Sequence, residues 1–516
     1  MSARERGLGP VVELRETHIS RVYLRERDVI KIKKPVYLGF LDFRTLAARE
    51  QACAAEVELG RRLAPDVYLG LVPITRDPDG GRRLDGDGPV IDWAVRMRRL
   101  PDAWRADVRL AEGRLEANDL RRVAEVIAAF HASARIGDAY HGEVAILLQN
   151  VRENFDQAGE HARALLTAER AAAIEARQLE FLAERGELLR ARAAAGRVRD
   201  GHGDLRLEHV YLDDDGGIRV IDCIEFNERF RIADVCADVA FLSMELAASA
   251  RVDLAEVFLA AYAEASGDFD LYPLVDFFEG YRAYVRGKVA CMTAAGDVSW
   301  DIKERARAEA TRLFTLAYAA QRGPLVTPRL VAIGGPIASG KSTIARHLGE
   351  RMGAPVLSSD LTRKQLVGVD PTTPVHDEAW SGIYTLDATE RVYRELLRRA
   401  AVVLRSGRPV IVDASFRTRA LRGRVRALAA ELGAPLRVLE CRAPRHVLEA
   451  RLRARAEQGG VSDGRLEILD DFLARWEEID ELAAEEHLTL DTSRPLAETL
   501  KALAAALPTW PQRPVP

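Results

Sequence analysis

Glycines and one lysine in the segment GPIASGKS, residues 335–342, have the types and spacing to hold a phosphate chain. The segment fits the pattern G-x-x-x-x-G-K-[ST] and lies between an apolar run and a predicted helix, the context that this motif requires. Gly335 and Gly340 allow the backbone to fold around phosphate oxygens, so that successive N–H groups point at the anion. Lys341 is expected to reach the β- and γ-phosphates of ATP, and the Ser342 hydroxyl is expected to ligate Mg²⁺. The predicted nucleotide-binding loop comprises Gly335, Pro336, Ile337, Ala338, Ser339, Gly340, Lys341, Ser342 and Thr343.

Two aspartates follow predicted strands at the edge where open α/β sheets bind ligands. Asp413 ends the apolar run PVIVD and is predicted to hold Mg²⁺ through water, or else to cap the strand end. Asp360 ends VLSSD, from where it could orient or deprotonate an acceptor hydroxyl or, as the alternative, cap the following helix. The segment RAPRHVLEARLRAR places Arg451 and Arg455 four residues apart, and so on one helix face. These two arginines are predicted to close over the transferring phosphate, with a solvated basic face as the alternative.

Five short apolar runs are predicted to be the strands that position this loop. Helical segments separate them, and this alternation predicts a parallel sheet with crossover helices. The predicted strands are 329–334, 355–359, 409–413, 436–441 and 487–490. Before them, QRGPLVTPRL contains Gly323, Pro324 and Pro328 between a helix and a strand, which predicts a domain boundary.

The earlier part of the chain shows a different order of elements. Alternation in RVYLRERDVIKIKK predicts two strands around a polar turn. The pattern then predicts a helix (44–64), a further strand (90–100), a mostly helical region (118–200), a hairpin (209–224) and a second run of helices (234–320). The stretch 153–195 is rich in Ala, Glu and Arg and predicts a solvated amphipathic helical hairpin.

Composition argues against several classes of protein. The chain has 516 residues, of which 48% are hydrophobic and 30% charged, and this length favours two or three domains. A formal net charge of -4 argues against nucleic-acid binding driven by bulk positive charge. Without a run of about 18 uncharged apolar residues or an apolar N-terminal segment, we expect neither a membrane span nor a signal peptide. Five scattered cysteines without a C-x-x-C pair predict reduced thiols in a cytoplasmic protein with no zinc site.

Residues 329–506 resemble the small P-loop kinases grouped with gluconate kinases, polynucleotide kinase and zeta toxins. The resemblance rests on GGPIASGKST, SSDLTRK, VIVDASF, the arginine-rich segment 442–455 and LDTSRP. It implies an α/β P-loop domain that moves the γ-phosphate of ATP to a hydroxyl. It does not identify the acceptor.

GHGDLRLEHV, residues 201–210, contains the second candidate site. This stretch resembles the H-G-D-L-x-x-x-N loop of aminoglycoside phosphotransferases and choline-kinase-like enzymes, distant relatives of protein kinases. The resemblance covers residues 20–320. It implies that Asp204 accepts the proton of the acceptor hydroxyl and that Asp222, in IDCIEFNE, binds Mg²⁺.

The same resemblance implies roles for residues outside the loop. Lys31 or Lys33, in VIKIK, is expected to bind the ATP phosphates, with Lys31 preferred because it lies between two isoleucines. Both lysines face the same way in a strand, so the sequence leaves this choice open. Glu56 is expected to pair with the chosen lysine. One aspartate of ADVCADVAFL, Asp234 or Asp238, is expected to brace the catalytic loop.

Position 209 departs from the family pattern, because His209 stands where such loops carry a metal-binding Asn. Asn offers Mg²⁺ a carbonyl oxygen, whereas imidazole offers a nitrogen that Mg²⁺ tolerates poorly. Three interpretations remain. His209 binds a metal with Mn²⁺ preferred, Asp222 holds the metal with help from Glu208 or water, or the site binds nucleotide without transferring phosphate. Since Asp204, Asp222 and a lysine are all present, retained activity is favoured.

The resemblance is closest to a group in which a kinase-like domain is fused to a P-loop kinase domain. It implies an α+β protein-kinase-like bilobal domain (1–322), a linker (323–328), an α/β P-loop kinase domain with a parallel sheet (329–507) and an irregular tail (508–516). Two ATP-dependent modules with Mg²⁺ or Mn²⁺ would then phosphorylate hydroxyls of small molecules such as sugars. The alternatives are catalysis by the P-loop domain alone, with a regulatory N-terminal domain, and a nucleotide-dependent interaction switch. Both acceptors, the oligomeric state and any communication between the sites stay open.

Overall fold

The computed structural model describes residues 10–39, 41–163, 165–319, 326–370, 373, 381–458 and 464–506. By their internal contacts the residues form two units, 1–248 with 277–320 and 249–276 with 321–516. In the described ranges no helix is both long and apolar enough to cross a bilayer. The domain limits expected from the sequence stay a prediction. Residues 323–325 of the predicted linker, residue 507 and the predicted tail 508–516 lie outside the described part of the chain.

The first unit begins with an antiparallel sheet and a helix that packs on one face of it. Its elements are β1 (Glu13–Glu16), β2 (Ser20–Leu24), β3 (Asp28–Lys33), α1 (Leu46–Gly60), β4 (Tyr68–Arg76), β5 (Arg82–Leu84) and β6 (Val90–Arg98). The strands lie in the order β1-β2-β3-β6-β4-β5. Alternation in β3 sends Ile30 and Ile32 into an apolar core and turns Lys31 and Lys33 to the face on which α1 lies.

The rest of the first unit is mostly helical. The next elements along the chain are α2 (Ala106–Ala111), α3 (Ala117–Ser133), α4 (Val144–Arg163), α5 (Ala168–Ala194), β7 (Val198–Asp200), β8 (Val210–Leu212), β9 (Ile218–Val220), α6 (Glu228–Arg231), β10 (Ile232–Asp234), α7 (Cys236–Ala248), α8 (Val252–Ser266), α9 (Tyr272–Ala295) and α10 (Trp300–Ala319). Of these, α8 and the first residues of α9 belong to the second unit. Strands β8 and β9 form the hairpin expected around the predicted metal site. The expected solvated hairpin corresponds to α4 and α5, but its inner face is buried, because Ala158 and Ile174 pack with Phe241 and Phe314.

The second unit contains the predicted parallel sheet. Its elements are β11 (Leu330–Gly334), α11 (Lys341–Met352), β12 (Val356–Ser358), α12 (Ser359–Val367), α13 (Leu386–Arg405), β13 (Val410–Asp413), α14 (Arg419–Glu431), β14 (Leu436–Arg442), α15 (Arg445–Gln458), α16 (Leu469–Ala474), β15 (His487–Asp491) and α17 (Leu496–Ala506). The strands are all parallel, in the order β12-β13-β11-β14-β15. Because helices cover both faces, β11 and β13 are buried along their whole length. Parallel pairing brings the loop after β11 and the end of β13 to the same sheet edge.

Residues 249–276 pack within the second unit, although they precede the predicted linker. The guanidinium of Arg408 lies 3.2 Å from both carboxylate oxygens of Glu256 on α8 and 2.8 Å from Asp276 on α9. The side chains of Arg408 and Glu256 are only 2% and 3% exposed. This buried ion pair therefore ties the earlier segment to the end of α13.

Substituting Arg408 with methionine should destabilise the second unit by about 3–5 kcal/mol, because it leaves Glu256 buried without the guanidinium that neutralises it. Hydrogen exchange of the β11 and β13 backbone amides reports the free energy of unfolding of this unit. Arg405→Met is the matched control, since Arg405 and its partner Glu431 are 61% and 65% exposed, and it should cost about 1 kcal/mol or less. Equal effects of the two substitutions would contradict the proposed importance of the buried pair.

Candidate active sites

In the first unit, one carboxylate binds both candidate lysines. Glu56, on α1, places Oε1 2.8 Å from Nζ of Lys31 and Oε2 2.5 Å from Nζ of Lys33. Lys31 also forms an ion pair with Asp222, and Lys33 forms one with Glu225. The two lysines thus share Glu56 but differ in their second partner.

These second partners separate the roles of the lysines. Lys33 is fully buried between Glu56 and Glu225, whereas the side chain of Lys31 is 12% exposed and contacts the predicted metal-binding Asp222. Burial alone would lower the pKa of Lys31, but Asp222, Glu56 and Glu225 raise it well above the usual value. Lys31 therefore stays charged and is the lysine that can reach a phosphate, while Lys33 holds Glu56 in place.

The backbone of Asp222 is held in an unusual conformation. Its φ of 66° lies in the left-handed region, which non-glycine residues seldom adopt and which is frequent at functional sites. The Asp222 N–H donates a hydrogen bond of 2.9 Å to the hydroxyl of Tyr68 on β4. The turn after β9 therefore fixes the direction of this carboxylate towards Lys31.

The loop that carries Asp204 is braced from below by Asp238. This carboxylate accepts hydrogen bonds from the N–H groups of His202 (2.6 Å) and Gly203 (2.8 Å). Asp234, the other candidate for this role, instead binds Arg192 at 2.7 and 2.8 Å. The bracing aspartate expected from the sequence is thus Asp238, which sits on the first turn of α7.

Asp204 remains ionised although it is buried. Burial would raise its pKa, but the charge of His209 in its protonated form, together with the charges of Arg206 and Arg286, lowers it below the usual range. An ionised carboxylate can accept the proton of a hydroxyl as that hydroxyl attacks. Sequence reasoning missed both arginines, as well as Glu225. Glu225 lies three residues after Asp222, in the quoted IDCIEFNE, and that spacing was the available signal.

His209 presents one ring nitrogen to the predicted metal ligands. Its Nδ1 lies 2.9 Å from the Asp204 carbonyl oxygen, which can only accept, so Nδ1 donates and the lone pair of the neutral ring is on Nε2. Nε2 lies 3.5 Å from Asp222 Oδ2 and 3.7 Å from Glu208 Oε1. The ring nitrogen and the Asp222 carboxylate are a mixed pair of donors, which Mn²⁺ accepts more readily than Mg²⁺ does.

In its described residues, neither unit contains a complete protein cage for a metal. Among the residues that the structure describes, no three His, Cys, Asp or Glu side chains are grouped so that they could hold an ion by themselves. This fits Mg²⁺ or Mn²⁺ in a kinase, where one or two carboxylates act together with substrate phosphates and water. Both candidate sites supply such a partial set.

In the second unit, the glycine loop has the geometry of a phosphate-binding loop. Gly335 adopts φ 142°, and a Cβ there would lie 2.4 Å from the Cys441 carbonyl oxygen, so only glycine fits. Gly340 adopts φ 83° and precedes α11, whose first residue is Lys341. The Lys341 amine donates a hydrogen bond of 2.7 Å to the carbonyl oxygen of Pro336, across the mouth of the loop. The loop backbone and the helix N-terminus can therefore surround an anion.

The two predicted metal ligands of this unit are in contact. Asp413 ends β13 and forms a hydrogen bond with the side chain of Ser342 on α11. Burial raises the pKa of Asp413, and the positive charge of Lys341 opposes that rise. Burial likewise lowers the pKa of Lys341, and Asp413 opposes that decrease. The carboxylate, hydroxyl and amine required for a metal–phosphate complex therefore meet at one sheet edge.

Asp360 lines the same cleft and does not cap its helix. The N-cap of α12 is Ser358, whose side chain accepts a hydrogen bond from the Leu361 N–H at 3.4 Å. Asp360 lies in the first turn of α12 and faces a cleft that it shares with Lys341 and Arg455. It is thus available to an acceptor hydroxyl rather than to the helix backbone.

The two arginines that were predicted to close over the transferring phosphate are in different environments. Arg455 lines the cleft that contains Lys341. Arg451, one turn earlier on α15, donates hydrogen bonds to the carbonyl oxygens of Ala338 (3.2 Å) and Thr492 (2.5 Å). Arg455 therefore faces the same cleft as Lys341, while Arg451 anchors α15 to the glycine loop.

Comparison with known proteins gives matches in both units. The phosphotransferase enzyme family matches residues 12–278, and a family described as an AAA domain matches residues 330–479. Uncharacterized proteins of Mycobacterium tuberculosis and Mycobacterium bovis are 36% identical to the chain over 468 residues, which cover 90% of this chain and 90% of each relative. The similarity thus extends over both units.

Solved structures of kinases are also similar to parts of the chain. A choline/ethanolamine kinase family protein from Mesorhizobium loti is 15% identical, over 61% of this chain and 92% of its own, with a TM-score of 0.35. A gluconokinase from Sinorhizobium meliloti is 22% identical, over 35% of this chain and 93% of its own, with a TM-score of 0.26.

Lys31→Met should weaken ATP binding to the first unit by about 10- to 100-fold, because it removes the partly exposed amine that can contact phosphate. Lys33→Met should chiefly lower stability, by about 3–5 kcal/mol, since Glu56 and Glu225 lose a buried countercharge. Titration with ATP in a Lys341→Ala background, together with denaturant unfolding, separates the two effects. Lys34→Met, outside the cluster, is the control. Equal losses of ATP affinity in both variants would refute the assignment.

His209→Asn should decrease Mn²⁺ affinity in the presence of a non-hydrolysable ATP analogue by about 10-fold or more, because it removes a nitrogen ligand. Electron paramagnetic resonance of Mn²⁺, again in the Lys341→Ala background, measures this directly. His141→Asn is the matched control, since His141 pairs with Asp138 outside the site. Unchanged Mn²⁺ affinity in His209→Asn would mean that Asp222 holds the metal without the histidine.

Proposed function

We propose that this chain, which belongs to the phosphotransferase enzyme family and carries a P-loop domain behind that family's domain, is a bifunctional ATP-dependent kinase. Each unit would transfer the γ-phosphate of ATP to a hydroxyl group of a small molecule, with sugars among the candidate acceptors. The observation that carries the proposal is the ionised Asp204 on its braced loop, beside His209 and Asp222. A module that only bound nucleotide would have no use for this base.

In the first unit, Lys31 would bind the phosphates of ATP, and Asp222 with His209 would hold the divalent metal. Once bound, the metal would neutralise charge on the phosphates. Asp204 would accept the proton of the acceptor hydroxyl while its oxygen attacks the γ-phosphorus and the bond to the β-phosphate oxygen breaks. Glu56 and Lys33 would keep Lys31 in position.

In the second unit, Lys341 and the loop N–H groups would bind the phosphates, and Ser342 with Asp413 would hold the metal. Asp360 would accept the acceptor's proton, and Arg455 would neutralise the charge that develops on the transferred group. The same reaction would thus occur in both units with unrelated sets of residues.

The five cysteines are all free and buried, which agrees with a reducing, cytoplasmic environment.

In a rival function, only the second unit transfers phosphate, and the first unit binds nucleotide and regulates the second. The observation in its favour is His209, whose Nδ1 binds the Asp204 backbone where an amide side chain is usual in the family that this loop resembles. The two functions differ in what Asp204 does, so substitution of that residue distinguishes them.

Asp204→Asn should lower the rate of phosphorylation of one acceptor by about 100- to 10,000-fold, and Lys341→Ala should do the same to a second acceptor by about 100- to 1,000-fold. ATP consumption against a metabolite panel, with Mg²⁺ and with Mn²⁺, measures both. Asp214→Asn and Lys501→Ala are the controls, because both side chains are exposed and neither belongs to the proposed sites. If only Lys341→Ala affects turnover, the rival function is correct.

A further inference from the structure

Among the described residues, cationic side chains outnumber carboxylates in the cleft at the sheet edge of the second unit. The cationic side chains are Lys341, Arg363, Arg417, Arg455 and Arg465, and the carboxylates are Asp360 and Asp413. The phosphates of ATP would be neutralised by the glycine loop, Lys341, Arg455 and a divalent metal. This assignment gives no role to Arg363, whose environment is described below.

Apart from Arg465, the charged side chains of the cleft fall into two groups. Burial lowers the pKa of the Lys341 amine, and the charges of Asp413, Asp360 and Arg455 are close enough to shift that pKa as well. Burial raises the pKa of the Tyr393 phenol, and the charges of Arg363 and Arg417 oppose that rise. One group is thus gathered at the phosphate-binding loop, and the other is gathered around Tyr393.

The arginines around Tyr393 are buried and held in place. Arg363 and Arg417 are only 7% and 8% exposed. Arg363 stacks on the ring of Tyr384, 4.7 Å from its centroid, and donates through Nη1 to the carbonyl oxygen of Ile383 at 2.6 Å. Tyr393 donates or accepts at Ser415 Oγ, 3.2 Å away, and its hydroxyl accepts from the Phe416 N–H at 3.0 Å. The Arg363 guanidinium and the Tyr393 ring are therefore both held by neighbouring groups of the protein.

Arg363 has unused capacity for an anion. Within the described ranges its Nε has no hydrogen-bond partner, and the side chain forms no ion pair with a carboxylate. A buried guanidinium without an anionic partner costs free energy, and an oxyanion is the group that its planar donors fit. Arg363 lies one helical turn after Asp360 on α12, so both side chains face the same cleft.

We propose that the acceptor of the second unit is an acid, a hydroxylated small molecule whose carboxylate or phosphate binds to Arg363 and Arg417. The anionic group would be held beside Tyr393, and the hydroxyl would point to Asp360. The hydroxyl oxygen then bonds to the γ-phosphorus, the bond to the β-phosphate oxygen breaks, ADP leaves, and the proton passes to Asp360. This inference rests on the kinase function proposed for the same unit.

The test uses the full chain in an Asp204→Asn background and three probes with the same carbon skeleton: a hexuronic acid, a hexose 6-phosphate and the neutral hexose. We expect one anionic probe to be phosphorylated in preference to the neutral hexose, and which one it is distinguishes carboxylate from phosphate. Arg363→Gln and Arg417→Gln should each raise KM for that probe by about 10- to 100-fold, without changing KM for ATP. Arg351→Gln, an exposed arginine on α11, should change neither value.

Calorimetric titration of the same probes without ATP provides an independent readout. Binding of the anionic probe should weaken about 10- to 100-fold in Arg363→Gln and Arg417→Gln and persist in Lys341→Ala. Anion binding without any transfer would support the anion site and refute the kinase function of this unit. Transfer to the neutral hexose with equal efficiency would support the kinase function and overturn the inference. A rise in KM for ATP in the arginine variants, or no binding of either anionic probe, would also overturn it.

Discussion

One buried carboxylate, that of Glu56, forms ion pairs with two lysines at once, and the geometry of the candidate site in the first unit depends on these two pairs. Around it, Lys31 and Lys33 face Glu56, Asp222 and Glu225, so two positive charges meet three negative ones. Buried charges of one sign are costly when they are not compensated. The excess carboxylate is therefore a place for a cation, and it lies on Asp222, the most exposed acid of the cluster. The same cluster connects the sheet, α1 and the turn after β9, so a single electrostatic constraint positions groups that are far apart in the sequence.

The sequence predicted those parts of the molecule whose chemistry is local. A glycine loop between a buried strand and a helix has few structural alternatives, and the parallel sheet and loop geometry agree with the prediction. The choice between Lys31 and Lys33 could not be made, because a strand turns both to one face and only tertiary partners distinguish them. Asp360 had two interpretations for a similar reason. Which of several polar residues caps a helix depends on where the helix begins, and α12 begins at Ser359, the last residue of the predicted strand.

Residues that act at a distance in sequence gave weaker signals. Arg417 and Tyr393 belong to different elements, and no spacing rule brings them together at the cleft. The helix α8 shows the same limit in the fold. Its apolar pattern predicts burial, but burial against the sheet of the second unit cannot be read from a helix that precedes the linker. Its Glu264 side chain accepts a hydrogen bond from the backbone of Val356, at the start of the edge strand β12. The match to the phosphotransferase enzyme family extends to residue 278. Residues 249–276 are therefore part of that family's match in sequence, although they pack within the second unit.

The ion pair between Glu256 and Arg408 has a consequence for the order in which the protein is made. The two residues are 152 positions apart, so the ribosome delivers the acid well before the base. At about 5–20 residues per second, the nascent chain carries α8 without its partner for about 8 to 30 s. During that interval the apolar face of α8 and its carboxylate have no sheet to pack on, and they are candidates for a chaperone. The second unit cannot close until its last strands emerge, so translation speed and chaperone supply would govern the yield of folded protein.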